Sequence, residues 1–179
     1  NRYGYCIIRR FLSATVDYQG HEEIVIDHNS ISEITDKYAR DDKSLRNLIV
    51  ISQKIINDTN PFNIIKREQI KKSMNWKDIT FDENKIDALN EQFSINNFIH
   101  ISIPINISTP EGYKETSYSV YFLRNSSATS ESCHYIRDGL EISQVLRKKL
   151  DKGITAVVEI CDSQLSGLLN RTEDPSHSE

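Results

Sequence analysis

The sequence is poor in the residues that build nucleotide-binding loops and disulfide frameworks. Among its 179 residues are six glycines and three cysteines, and neither GxGxxG nor GxxxxGK[ST] occurs. Phosphate-binding loops need glycine where the backbone approaches the phosphate, so a nucleotide pocket built by this chain alone is not expected. The cysteines, Cys6, Cys133 and Cys161, are far apart and form no CxxC pair. They therefore predict reduced, mostly buried thiols.

Long apolar runs and an excess of positive charge are also missing. No stretch approaches the roughly 18 apolar residues of a membrane span, and no signal-peptide pattern is visible. A net charge of -4 and a pI near 5.8 give no overall attraction to nucleic acid or to an anionic membrane. We therefore expect a cytoplasmic chain with no membrane partner. Because the first residue is Asn1, we also expect a fragment of a larger protein.

Patterns for metal binding and nucleophilic catalysis are lacking as well. The five histidines show no HxxxH or HExxH spacing, and neighbours such as Cys133 and His134 point to opposite faces of a strand. We therefore predict no metal site, and we interpret Cys133 as a strand thiol rather than a nucleophile. A weaker hypothesis is an enzyme with a cleft around His134, Glu159 and Asp162.

A strong β pattern extends from Phe98 to Ile160. Isoleucines alternate with other residues over 98–107, and this period of two predicts a half-buried strand. Further strands are predicted over 117–123, around 133–136 and over 154–160, with one short helix before the last strand and another over 163–169. Before this sheet we predict a helix over 1–12 and a β-hairpin over 13–26 that turns at Gly20.

Apolar residues at helical spacing predict three helices between the hairpin and the sheet. One is opened by a capping box at Ser30 and Glu33, one covers 44–56, and one covers 82–94. We interpret residues 30–95 as a helical insertion within a single domain over 1–179. The predicted fold class is α/β in the broad sense (α+β), a mixed, mostly antiparallel sheet with helices on one face.

Two groups of charged residues are candidate binding residues. A basic segment near Trp76 suits either a nucleic acid or protein partner or a solvated helix face, and the second is favoured because acidic residues interrupt it; its residues are Lys66, Arg67, Lys71 and Lys72. Arg137 stands directly before Asp138 and Gly139, a pair typical of a turn. It is either an exposed turn residue or an arginine that a rigid sheet edge presents to a phosphate.

Three phrases and the order of elements carry a resemblance to a known domain. Residues 1–16 resemble a helix-to-strand entry, 135–142 resemble the phrase Y-[IV]-R-x-G-[MIL]-x-I, and 168–177 resemble L-L-x-x-[AT]-E-x-P-x-H. Together they are similar to the second domain of bacterial ATP-binding proteins of the GHKL type. That superfamily includes the gyrase B subunit, MutL, histidine kinases and the ninety-kilodalton heat-shock chaperones.

The resemblance implies a transducer domain with a left-handed βαβ crossover. Such a domain couples the nucleotide state of an upstream ATPase domain to a partner, so the fragment would have no catalytic residues and no cofactor. ATP and Mg²⁺ would belong to the parent, with Arg137 contacting a phosphate. Structural roles are implied for Gly139, Glu173, Pro175 and His177. A homodimer and a stand-alone protein- or nucleic-acid-binding module remain open alternatives.

Overall fold

The computed structural model describes nine segments of the chain: 14–18, 22–27, 29–38, 40–58, 62–63, 83–109, 112–125, 131–142 and 150–172. Within them lie four helices, α1 (Ile31–Tyr38), α2 (Lys43–Asn57), α3 (Glu83–Asn96) and α4 (Ser163–Thr172). The strands are β1 (Ala14–Tyr18), β2 (Glu22–Ile26), β3 (Phe62–Asn63), β4 (Phe98–Thr109), β5 (Gly112–Arg124), β6 (Ser132–Arg137), β7 (Leu140–Glu141) and β8 (Ile154–Ile160).

The main sheet has the strand order β3-β4-β5-β8-β6-β7. The pairs β4–β5, β5–β8 and β6–β7 are antiparallel, whereas β3–β4 and β6–β8 are parallel. The predicted α+β fold with a mixed, mostly antiparallel sheet is therefore confirmed. The crossover from β6 to β8 passes through 143–149, outside the described residues, so its left-handedness stays a prediction.

One face of the main sheet is covered by α2. Leu48, Ile51 and Ile55 of this helix share a buried cluster with four sheet residues; these are Tyr121, Leu123, Ile136 and Val157. Side chains alternate between the two faces of a sheet, and the strand register puts all four on the same side. We call this side the α2 face.

The opposite face is covered by α4 and α3. Leu165 of α4 is buried with Ile105, Ile107 and Tyr118, and α3 lies against β4 with Leu89 beside a cleft that Ile99 also lines. We call this side the α4 face. The helices thus cover both faces rather than the one face predicted from the sequence. The reason is visible in β8, where Val157 faces α2 while its neighbours Ala156 and Val158 face α4.

The segment between the hairpin and the sheet contributes directly to the core. The predicted hairpin is present as β1 and β2, and Ile26 at its end packs beside Ile31 and Ile49. Asp42 caps α2 by accepting the Leu45 N–H at 2.9 Å. Residues 30–95 therefore include α2, which supplies one wall of the main core, and β3, which pairs with β4. The helix predicted over 1–12 lies outside the described residues.

Neither of the two cysteines in the described residues is in a disulfide. Cys133 is half-buried and Cys161 is exposed, so the expectation of mostly buried thiols is wrong for Cys161, which directly follows the end of β8. Burial raises the pKa of Cys133, although a hydrogen bond with Tyr135 opposes this, so the thiolate form is disfavoured. Among the helices that the structure describes, none combines the length and the hydropathy needed to cross a bilayer.

Candidate functional site

The Arg137 turn, which we define as residues 137–140, joins β6 to β7. Arg137 pairs with Leu140 across the turn, and the two residues between them have positive φ, 52° at Asp138 and 83° at Gly139. Two consecutive left-handed residues are the signature of a tight hairpin, and glycine takes that conformation without steric cost. The turn chemistry predicted for Asp138 and Gly139 is thus present.

The Arg137 turn is attached to β8 and α4. The Asp138 N–H donates to the Ile160 carbonyl at 3.1 Å, and the Asp138 carboxylate accepts the hydroxyl of Ser166. Just before α4, Asp162 accepts the N–H groups of Gln164 and Leu165. The hydrogen bond from Leu165 is the main cause that lowers the pKa of Asp162. The turn, the end of β8 and the first turns of α4 are therefore one hydrogen-bonded unit.

Arg137 belongs to the α4 face. It is half-buried and pairs with Ile160 on the parallel neighbour β8. The remaining sequence-predicted site residues lie outside the described residues, so their roles stay predictions. These are Lys66, Arg67, Lys71 and Lys72 of the basic segment, and Glu173, Pro175 and His177 after α4.

The hypothesis of a cleft around His134, Glu159 and Asp162 is wrong. His134 pairs with Val157 and therefore lies on the α2 face, as does Glu159, whereas Asp162 caps the helix that covers the other face. His134 is buried, with its Nδ1 2.7 Å from Glu141 Oε1 and its Nε2 unpartnered among the described residues. Within the same residues, no group of three or more His, Cys, Asp or Glu is arranged to hold a metal.

A second site, absent from the sequence predictions, lies where α2 ends on its face of the sheet. His100 of β4 has its Nδ1 2.6 Å from Asp58 Oδ2 and its Nε2 3.0 Å from the Ser119 hydroxyl oxygen. Asp58 directly follows α2, and Ser119 is on β5. We call these three residues the His100 relay. Their order, carboxylate to imidazole to hydroxyl, is that of the Ser-His-Asp triads of acyl-transfer enzymes.

The surroundings of the His100 relay are aromatic and polar. The Tyr121 ring lies 4.2 Å from the His100 ring between centroids, and its hydroxyl donates to buried Glu159 at 3.0 Å. Ser102 stands directly opposite Ser119 on β4. Beside His100 and Asp58 is a cleft of about 390 Å³. His100 and Asp58 line this cleft, whereas Ser119 contacts the other ring nitrogen of His100 and is half-buried on the sheet.

The fold and these two sites define a mixed α+β domain with a tethered arginine turn on one face and a histidine relay on the other. Searches against protein-family models, curated proteins and solved structures found no match.

Proposed function

We propose that this chain is a transducer-type coupling domain of a larger, cytoplasmic ATPase-like protein. In this proposal, ATP and Mg²⁺ are held by an upstream domain, Arg137 contacts a phosphate, and α4 passes the nucleotide state on to a partner. The observation that carries the proposal is the attachment of the Arg137 turn to α4 through Asp138 and Ser166.

The attachment matters because a sensing arginine has to be held in position and its displacement has to reach another element. Arginine recognises phosphate through a planar fork of donors. The fork aligns with the phosphate oxygens only when the backbone that carries it is held in place. The Asp138 N–H and carboxylate bind β8 and α4 respectively. A shift of Arg137 towards a phosphate would therefore pull on both elements. Coupling of this kind needs a contiguous physical connection, and these hydrogen bonds supply one.

The experiment is ATP hydrolysis by the longest natural protein that contains this chain. Arg137→Ala should lower the rate at least tenfold, about 1.4 kcal/mol of barrier, because a charge that stabilises the transferred phosphoryl group is lost. Arg137→Lys should restore part of the rate, since it keeps the charge and loses the fork.

The matched control is Arg171→Ala. Arg171 is an exposed arginine on α4 whose Nε donates to the Gly167 carbonyl of the same helix, so this change should leave hydrolysis within about twofold of wild type. A parent protein without ATPase activity, or one in which Arg137→Ala behaves like Arg171→Ala, would refute the proposal.

A further inference from the structure

We infer that Ser119 is a nucleophile that takes the acyl group of a small carboxylic ester, with His100 as its general base. Asp58 acts through His100 and is a positioning residue. The inference rests on the His100 relay alone and is independent of the coupling role proposed for Arg137.

Both hydrogen bonds of the relay have the lengths that proton transfer requires. The 3.0 Å between His100 Nε2 and the Ser119 oxygen lets the imidazole accept the hydroxyl proton. The 2.6 Å between Nδ1 and Asp58 holds the other ring proton on Nδ1, because an ionised carboxylate can only accept. The free lone pair of neutral His100 is then on Nε2 and faces Ser119.

The neighbours of the relay suit the charges that develop during acyl transfer. The Tyr121 ring beside His100 would stabilise the imidazolium, since aromatic rings attract cations. Glu159 accepts the Tyr121 hydroxyl and so fixes that ring. Ser102 is directly opposite Ser119 on β4, where side chains are about 5 Å apart. Its hydroxyl is the donor that we assign to the developing oxyanion.

The end of α2 leaves this part of the sheet accessible. The helix terminates at Asn57, and two residues from Ser119 on the same face, Ser117 is exposed. The cleft beside His100 is also lined by Lys54, Gln92 and Asn96. Its volume is at the lower end of the range for ligand pockets, roughly 300–1,000 Å³. Ser119 is not among the residues that line the cleft, so an ester would bind its polar part there and reach Ser119 across His100.

The reaction would proceed in two balanced steps. The Ser119 oxygen attacks the ester carbonyl carbon while His100 takes the hydroxyl proton. The tetrahedral intermediate then expels the alcohol, which leaves with that proton. Water next attacks the acyl-Ser119 carbonyl, gives a proton to His100, and releases the carboxylic acid as Ser119 recovers its hydroxyl. No oxidant, reductant or further reactant is needed.

The test uses the whole chain with two probes, p-nitrophenyl acetate for turnover and a fluorescent fluorophosphonate for covalent labelling. We expect release of p-nitrophenol and a phosphonyl group on the peptide that contains Ser119. Ser119→Ala should abolish both, and His100→Gln should lower the labelling rate about 100-fold or more. Ser117→Ala is the matched control, since it removes an exposed hydroxyl from the same strand and face, and it should label normally.

Substitutions of Asp58 separate positioning from a structural role. Asp58→Asn keeps the side-chain shape but can donate to Nδ1, which puts the ring proton on Nε2. This variant should label about 100-fold more slowly, and Asp58→Glu, which keeps an acceptor for Nδ1, should restore part of the rate. Ser102→Ala should slow acetate turnover by about 100-fold because one oxyanion donor is lost.

Circular dichroism shows whether each variant is folded. Ser119→Cys provides a second test that keeps a nucleophile at this position. In Ser119→Cys, alkylation by iodoacetamide is followed on the peptide that contains position 119, because the exposed Cys161 also reacts, and it should be faster than in the double variant Ser119→Cys, His100→Gln. Absence of labelling in folded wild-type protein would overturn the inference. Labelling at another residue, or labelling of Ser119 that is indifferent to His100, would overturn it too. None of these results depends on ATP hydrolysis, so the coupling proposal stands or fails separately.

Discussion

The Arg137 turn and the His100 relay are built in different ways. The turn consists mainly of backbone conformation and hydrogen bonds to β8 and α4. The relay consists of three side chains, and Asp58, which directly follows α2, is the one that depends on a helix. The turn therefore depends on α4 and its face of the sheet, whereas the relay depends on how α2 packs. Substitutions under one helix should disturb one site and spare the other.

The largest expected effect is that of truncating the core under each helix. Leu48 in α2 is fully buried, so Leu48→Ala should cost about 2–5 kcal/mol of unfolding free energy. Leu165→Ala under α4 should fall in the lower part of the same range, because Leu165 is 5% exposed and partly buried residues surround it. Urea denaturation measures both values.

The comparison is sharpened by labelling Ser119 in the same variants. Leu48→Ala should slow fluorophosphonate labelling, and Leu165→Ala should not. The milder Ile51→Val removes one buried methyl group from α2 at a cost of about 0.5–1.5 kcal/mol, and it keeps the test possible if Leu48→Ala fails to fold. Equal slowing by the α2 and α4 variants would show that the two sites are not supported separately.

A smaller loss of unfolding free energy is expected from a substitution in the Arg137 turn. Gly139 has φ of 83°, a conformation that costs a residue with a side chain about 1–2 kcal/mol. Gly139→Ala should therefore lower the unfolding free energy by about that amount in urea denaturation. Under the coupling proposal, it should also lower ATP hydrolysis by the longer protein, because the strained turn shifts Arg137.

Gly167→Ala is the matched control for Gly139→Ala. Gly167 is inside α4, and a Cβ there would come only within 4.0 Å of the Arg171 side chain, an ordinary contact. Since alanine is the better helix former, this change should raise the unfolding free energy by about 0.5–1 kcal/mol. The prediction for the turn fails if both substitutions shift stability in the same direction.

Features that depend on neighbouring residues could be predicted from the sequence. The alternation after Phe98 predicted a strand over 98–107, which lies within β4, the strand predicted over 154–160 is β8, and Asp138-Gly139 predicted the turn chemistry that the structure has. Each of these signals is set by local sterics or by side-chain period. The residue that the sequence singled out, Arg137, is part of such a local unit.

The His100 relay could not be predicted in this way. Asp58 and His100 are 42 residues apart, and His100 and Ser119 are 19 apart. The β4–β5 register would have brought His100 near Ser119, since the turn at Thr109 and Gly112 fixes which residues pair. Nothing local fixes where α2 ends on the sheet, and that decides whether Asp58 reaches the ring. For the same reason, the packing of α2 and α4 on opposite faces could not be predicted, and the helices were predicted on one face.

The last comparison concerns Asp162, which caps the first turn of α4. Asp162 accepts two N–H groups at the start of α4, so Asp162→Ala should cost about 0.5–2 kcal/mol near neutral pH. The pKa of Asp162 is lowered in the folded protein. Its stabilisation is therefore complete above the unfolded value of about 3.9 and is lost as pH falls through the lower folded value.

Urea denaturation at pH 7 and at pH 3 checks this expectation. The gap between wild type and Asp162→Ala should narrow at the lower pH, because the protonated carboxyl is a poorer acceptor. Asp162→Asn is the control, since asparagine caps about as well as aspartate and does not titrate. Asp162→Asn should therefore match wild type at pH 7 and keep its advantage over Asp162→Ala at pH 3. A gap between wild type and Asp162→Ala that is the same at both pH values would mean that the charge of Asp162 contributes nothing to the stability of the start of α4.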